Sequence, residues 1–82
     1  MVQQKLVIIM HADERKHEIV AKSDDLKSLQ SIVGGYIESI SIPHWDMYVN
    51  EDAILLALPV NQEASKMVGQ VIRGDVALLL SE

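Results

Sequence analysis

The chain has 82 residues, 49% of them hydrophobic, with seven basic and twelve acidic side chains and no cysteine. That length holds a single domain spanning 1–82, and the missing cysteine excludes disulfides, thiol catalysis and thiolate metal sites. A net charge of −5 excludes the basic footprint of a nucleic-acid binder, so no direct nucleic-acid binding is expected.

The longest apolar runs, Leu6 to Met10 and Ala53 to Leu58, are too short to span a bilayer, and no membrane association is expected. The opening Met-Val-Gln-Gln-Lys lacks a signal-peptide pattern, which points to the cytoplasm. A domain this small buries a modest share of its surface. Its high apolar content therefore points to a second copy or a partner covering part of it, and a homodimer is one form this takes. Phe is absent, and Tyr36, Trp45 and Tyr48 are the aromatic residues, so Ile, Leu, Val and Met must build the core.

Lys5 to Met10 is a β-rich apolar run suited to a central strand covered on both faces. After a polar connection, His17 to Lys22 reads as a second strand, hairpin-paired with the first. Ser23 is positioned to cap a helix, with Asp24 and Asp25 in its first turn complementing the dipole. Leu26, Leu29, Ile32 and Val33 recur at helical spacing and form one apolar face. Gly34 sits where a helix ends in a left-handed residue, and Gly35 lets the chain leave at a sharp angle.

Tyr36 to Ile42 reads as a third strand, with Tyr36, Glu38, Ile40 and Ile42 on one side and Ile37, Ser39 and Ser41 on the other. Pro43-His44 is a turn, Trp45 to Val49 a fourth strand and Asn50-Glu51-Asp52 a turn. Ala53 to Leu58 reads as a fifth strand, ended by Pro59. Asn61 caps a short helix through Val68, closed by Gly69. Gln70 to Ile72 has the composition of a short strand, Gly74 lies in a turn, and Val76 to Leu80 is a final apolar strand. The predicted order is β-β-α-β-β-β-α-β. The fold class is α+β, with a mostly antiparallel sheet packed on one main helix.

The series Leu29-Gln30, Val33-Gly34-Gly35-Tyr36-Ile37-Glu38, Asn50-Glu51, Leu58-Pro59-x-Asn61-x-x-Ala64 and Gly74-Asp75 resembles a family of short domains of unknown function from bacteria, phages and other mobile elements. The resemblance covers about Leu26 to Leu80. It implies no activity. It does imply a phage or mobile-element setting, where small acidic proteins modulate host or defence machinery, and hence a host-cell cytoplasm for a phage-encoded chain.

Glu38 is the first candidate for chemistry, because a carboxylate partly buried beside Tyr36 has the surroundings of a general acid or base. Gly34-Gly35 follows a helix, whose C-terminal end repels anions, so the pair reads as a cap and not a phosphate cradle. No G-x-G-x-x-G or Walker pattern occurs. His11, Asp13 and His17 flank one loop, yet structural zinc sites take four ligands, and these read as surface side chains. Asn50-Glu51-Asp52 is too short for a calcium loop. No nucleophile elbow is present. Trp45 and Met47 share a strand face with Tyr48 opposite, and these residue types are enriched at interface cores.

No catalytic residue, metal or cofactor is assigned. The reading is a small non-enzymatic binding or regulatory module docking on a protein through a sheet edge or the Trp45–Val49 strand. Tyr36, Glu38, Trp45, Met47, Tyr48, Asn50 and Glu51 are its binding candidates, and Gly34, Gly35, Asn61 and Gly74 its structural turns. Two alternatives stand beside it. One is a small-molecule or nucleotide site at Tyr36, Glu38 and Asn50-Glu51. The other is an acidic DNA mimic using Asp24, Asp25, Glu51 and Asp52.

Overall fold

The computed structural model describes residues 4–12 and 16–81. Five strands and two helices follow one another as β1 (Gln4–His11), β2 (Lys16–Ser23), α1 (Leu26–Val33), β3 (Ile37–Ile42), β4 (Trp45–Asn50), α2 (Gln62–Val68) and β5 (Val76–Leu80). The strands form one antiparallel sheet in the order β2-β1-β5-β4-β3. The α+β expectation holds, with two departures.

The helices are nearly equal in length, eight and seven residues, so there is no single main helix. One lies on each face of the sheet. Val7, Ile9, Ala77 and Leu79 form a buried cluster with Leu29 of α1. Met10, Met47, Val49, Val76 and Leu78 form another with Ala64 of α2 and Ile72. Alternation along β1 and β5 therefore feeds both cores. That is why these strands read as continuous apolar runs.

The second departure is the predicted fifth strand. Residues 53–57 are instead a series of turns, and Leu58 belongs to no strand. The side chain of Asn50 accepts the Asp52 N–H at 2.8 Å and bends the chain as an Asx-turn. Leu56 N–H then donates to Asp52 O, Ala57 N–H to Ile54 O and Leu58 N–H to Ala53 O, so the donors a strand needs for a ladder are taken locally. An apolar run without alternation does not distinguish these outcomes. Similarly, Gln70 to Ile72 forms no strand; a single bridge joins Val60 to Arg73.

At α1 the cap is Asp25, not Ser23. The Asp25 carboxylate accepts the Ser28 N–H at 2.9 Å, Ser23 Oγ accepts the Asp25 N–H, and Asp24 pairs with Lys5 at 3.0 Å. Gly34 ends the helix at φ 80°, its N–H bonded to Gln30 O. The β3–β4 hairpin turns on Pro43-His44, where His44 holds φ 73°. Pro followed by a positive φ is the type II pattern, whose second position favours glycine. Replacing His44 by Gly should stabilise the domain by about 0.5–1 kcal/mol, read as a Tm rise of roughly 3–6 °C in thermal denaturation.

The register sets rows of side chains across the α2 side of the sheet. Ile19, Ile8, Leu78, Met47 and Ile40 stand in line across all five strands. One row nearer the β3–β4 hairpin, Ala21 pairs Leu6, while Leu80 pairs Trp45 and Trp45 pairs Ile42. Continuing the β1–β5 register sets Leu6 beside Leu80, and both line one shallow depression. α2 lies over the opposite end.

Candidate functional site

At the end of the sheet remote from that hairpin, β3, β4, the turns after β4 and the segment after α2 enclose a cleft of about 220 Å3. Ile40, Val49, Ala53, Ile54, Val71 and Ile72 supply its apolar walls, and Glu38, Asn50, Glu51, Gln70 and Arg73 its polar lining. β3 positions Glu38 by alternation, placing it opposite Val49 on the α2 side. The Asx-turn positions Glu51. Arg73 lies across the cleft with its guanidinium donating to Leu58 O at 3.0 Å.

The cleft thus gathers Glu38, Asn50 and Glu51 from the residues expected to bind. The other candidates fall elsewhere. Tyr36 is exposed just ahead of β3 and lines no part of the cleft; its carbonyl accepts the Glu51 N–H at 2.9 Å. Trp45 and Met47 do share a face with Tyr48 on the other, but Met47 is fully buried and presents nothing to a partner. β4 is flanked by β5 and β3, so it cannot be a docking edge; the edges are β2 and β3. Glu38 is exposed, and the acid–base reading loses the burial it rested on.

Asn50 is a structural brace. Its buried amide donates to Val33 O at 3.0 Å and accepts the Asp52 N–H, tying the end of α1 to the turns that wall the cleft. Gly35 makes room for it, since a Cβ there would lie 3.1 Å from Asn50 Nδ2. Asp24 and Asp25 stand at the start of α1, and Glu51 and Asp52 follow β4 at the other end of the sheet. The four do not make one acidic surface.

Among the described residues of the suspected histidine pair, His11 and His17, His11 has the richer surroundings; Asp13 lies outside the described residues. His11 Nδ1 lies 3.0 Å from Asp75 Oδ2, and Nε2 lies 2.6 Å from Glu18 Oε2. Carboxylates only accept, so the imidazolium, with both ring nitrogens donating, is the form that makes both bonds at once. The hydrogen bond to Glu18, supported by Asp75, raises the His11 pKa above 6.5, while His11 holds the Glu18 carboxyl below its usual range. A raised histidine pKa contributes stability that is complete below the unfolded value and lost as pH climbs through the folded one. The Glu18 contribution is lost in the other direction, as pH falls through its lowered value. Tm should therefore decline as pH rises from 6.5, and His11→Gln should flatten that decline. An NMR titration placing the His11 pKa at or below 6.5 would refute this.

The family model described as Domain of unknown function (DUF3846) matches residues 5–81. The chain belongs to this family. No curated protein and no solved structure matches it.

Asn61, Gly74 and Asp75 each have structural work in this fold. Asn61 caps α2 by accepting the Ala64 N–H at 3.1 Å, and its amide also donates to Met10 O at 2.9 Å and Gly74 O at 3.0 Å. Gly74 holds φ 86°, with Leu58 against its open side, and Asp75 accepts the Ala12 N–H at 2.9 Å. The cleft also uses residues that sequence reasoning passed over. Ile54 and Val71 fall in segments whose composition predicts strands, and Arg73 directly precedes the Gly74 turn. Ile54 and Leu55 are 83% and 86% exposed. The available signal was an apolar run with no alternation directly after Asn50-Glu51-Asp52.

No helix of the described residues is long and apolar enough to cross a membrane.

Proposed function

We propose that the chain is a small non-enzymatic binding module that docks on a protein partner through this cleft and its apolar rim. The observation that carries the reading is the exposed Ile54-Leu55-Leu56 turn beside a cleft bearing Glu38 and Glu51. Monomeric surfaces rarely leave such apolar groups clustered without a use. A cleft of about 220 Å3 is below the ~300–1,000 Å3 of small-molecule pockets. It suits one inserted side chain, and two carboxylates over apolar walls, against the single cation Arg73 that is already bonded to Leu58 O, favour the stem and charged head of a lysine or arginine. The partner is thus a basic segment flanked by apolar residues, and the chain's net charge of −5 steers its approach. In the phage or mobile-element setting that the resemblance implies, this partner belongs to host or defence machinery in the host cytoplasm.

The test is affinity capture with three baits: the natural chain, Leu55→Glu, and Glu38→Lys combined with Glu51→Lys. Leu55→Glu should weaken capture at least roughly 30-fold, the scale of a central contact residue. The double charge reversal should abolish capture of the same basic protein. A natural chain that retains nothing, or capture unchanged by both variants, sinks the reading.

A further inference from the structure

The opposite end of the sheet carries a second surface of different chemistry. The row Ala21, Leu6, Leu80, Trp45 and Ile42 crosses all five strands and contains no charged or polar side chain. Behind it stands the wholly apolar row from Ile19 to Ile40. α2 packs at the far end with Val49 and Val76, and leaves this one bare: Leu6 is 70% exposed, Ile19 69% and Leu80 67%. At ~4.8 Å per strand the row is about 19 Å long.

We propose that this row is the interface of a homodimer, its occupant being the same row of a second copy. Charge selects that occupant. Two chains each carrying −5 repel over most of their surface, and this row offers them a contact without like charges, its one charged neighbour in the depression being Lys5, paired with Asp24. A basic partner would find no acidic group in it to pair with.

Geometry selects a single arrangement. Two sheets packed face to face lie about 10 Å apart. A helix on the same side of the sheet fills ~10–12 Å. A twofold axis parallel to the strands would drive the two α2 helices into the same space. A twofold axis along the row sends them to opposite ends, each beyond the edge of the other sheet. Every residue of the row then meets its own counterpart, Leu6 on Leu6, Leu80 on Leu80 and Trp45 on Trp45.

The bare apolar side chains of the row offer less than the roughly 800 Å2 per partner of a standard interface, which makes this a weak, transient contact. A weak, reversible dimer follows. It leaves the cleft free, since the Glu38–Val49 pair lies four residues, about 13 Å, along the strands from the row. The dimer is thus independent of the docking reading.

Sedimentation equilibrium over a range of chain concentrations should show this dimer. Leu80→Glu and Leu6→Glu, both at exposed positions, should each leave a monomer with an unchanged circular-dichroism spectrum. Leu55→Glu, at the cleft end, should dimerise as the natural chain does. The lack of native cysteine makes a direct test available. Leu80→Cys should give a covalent dimer under mild oxidation, and Leu55→Cys should not. A natural chain that stays monomeric throughout overturns the proposal. So does a dimer that survives both glutamate variants, which would place the contact away from this row, or a Leu80→Cys variant that links no faster than Leu55→Cys.

Discussion

Replacing Asn61 by alanine should cost about 3–4 kcal/mol and lower Tm by roughly 15–25 °C. The side chain is 1% exposed, and each of its polar atoms is committed. Its oxygen accepts the Ala64 N–H at the start of α2, and its nitrogen bridges Met10 O on β1 to Gly74 O before β5. Alanine strips a cap from the helix and leaves two carbonyls short of a donor in a region closed to water. A small domain has about 5–10 kcal/mol in total, so the variant should be close to unfolding at physiological temperature. Asn61→Asp separates the two roles. It retains the capping oxygen but faces Met10 O and Gly74 O with a carboxylate, so at neutral pH it should be at least as damaging as alanine. Urea titration of the three proteins checks this. An aspartate variant as stable as the natural chain would show that only the cap matters.

Asn50→Ala should cost about 2 kcal/mol, a Tm loss of roughly 10 °C. The amide holds Val33 O at the end of α1 and the Asp52 N–H that opens the turns, so both the helix end and the cleft wall loosen together. The neighbouring glycine supplies a sharper readout. A Cβ on Gly35 would press on Asn50 Nδ2 at 3.1 Å. Gly35→Ala should therefore destabilise the natural chain more than it destabilises the Asn50→Ala variant. The double variant should then fall short of the summed losses by about 0.5–1 kcal/mol, measurable as a thermodynamic cycle. Strict additivity would mean that the two residues do not press on each other.

Both asparagines show how the chain could be read and where reading stopped. Asn61 was legible as a cap because capping is local, an oxygen three residues ahead of an amide. Its two donor bonds were not, because Met10 lies 51 residues away and only the fold brings it near. Asn50 was legible as a turn residue. Its reach back to Val33 depends on α1 and β4 lying side by side. The cleft was half visible: Glu38 and Glu51 came from strand alternation and turn chemistry, whereas Arg73 and Val71 enter from beyond α2.

What the sequence by itself determined are the features set within a few residues. These are the helix ending at Gly34, the β3–β4 hairpin at Pro43-His44, the α2 span and the strand faces of β3 and β4. Each follows from a backbone preference or a spacing of two or four. Tertiary structure alone decided the rest. The segment Ala53–Leu58 has strand-like residues, but its backbone donors close onto neighbouring carbonyls once Asn50 bends the chain. That β5 inserts between β1 and β4, and that the helices take opposite faces, depends on pairings between distant residues. Those pairings also leave the Leu6–Leu80 row bare. Apolar side chains announce that they need covering, but which of them α2 covers is set by where the chain crosses, and no local pattern encodes that.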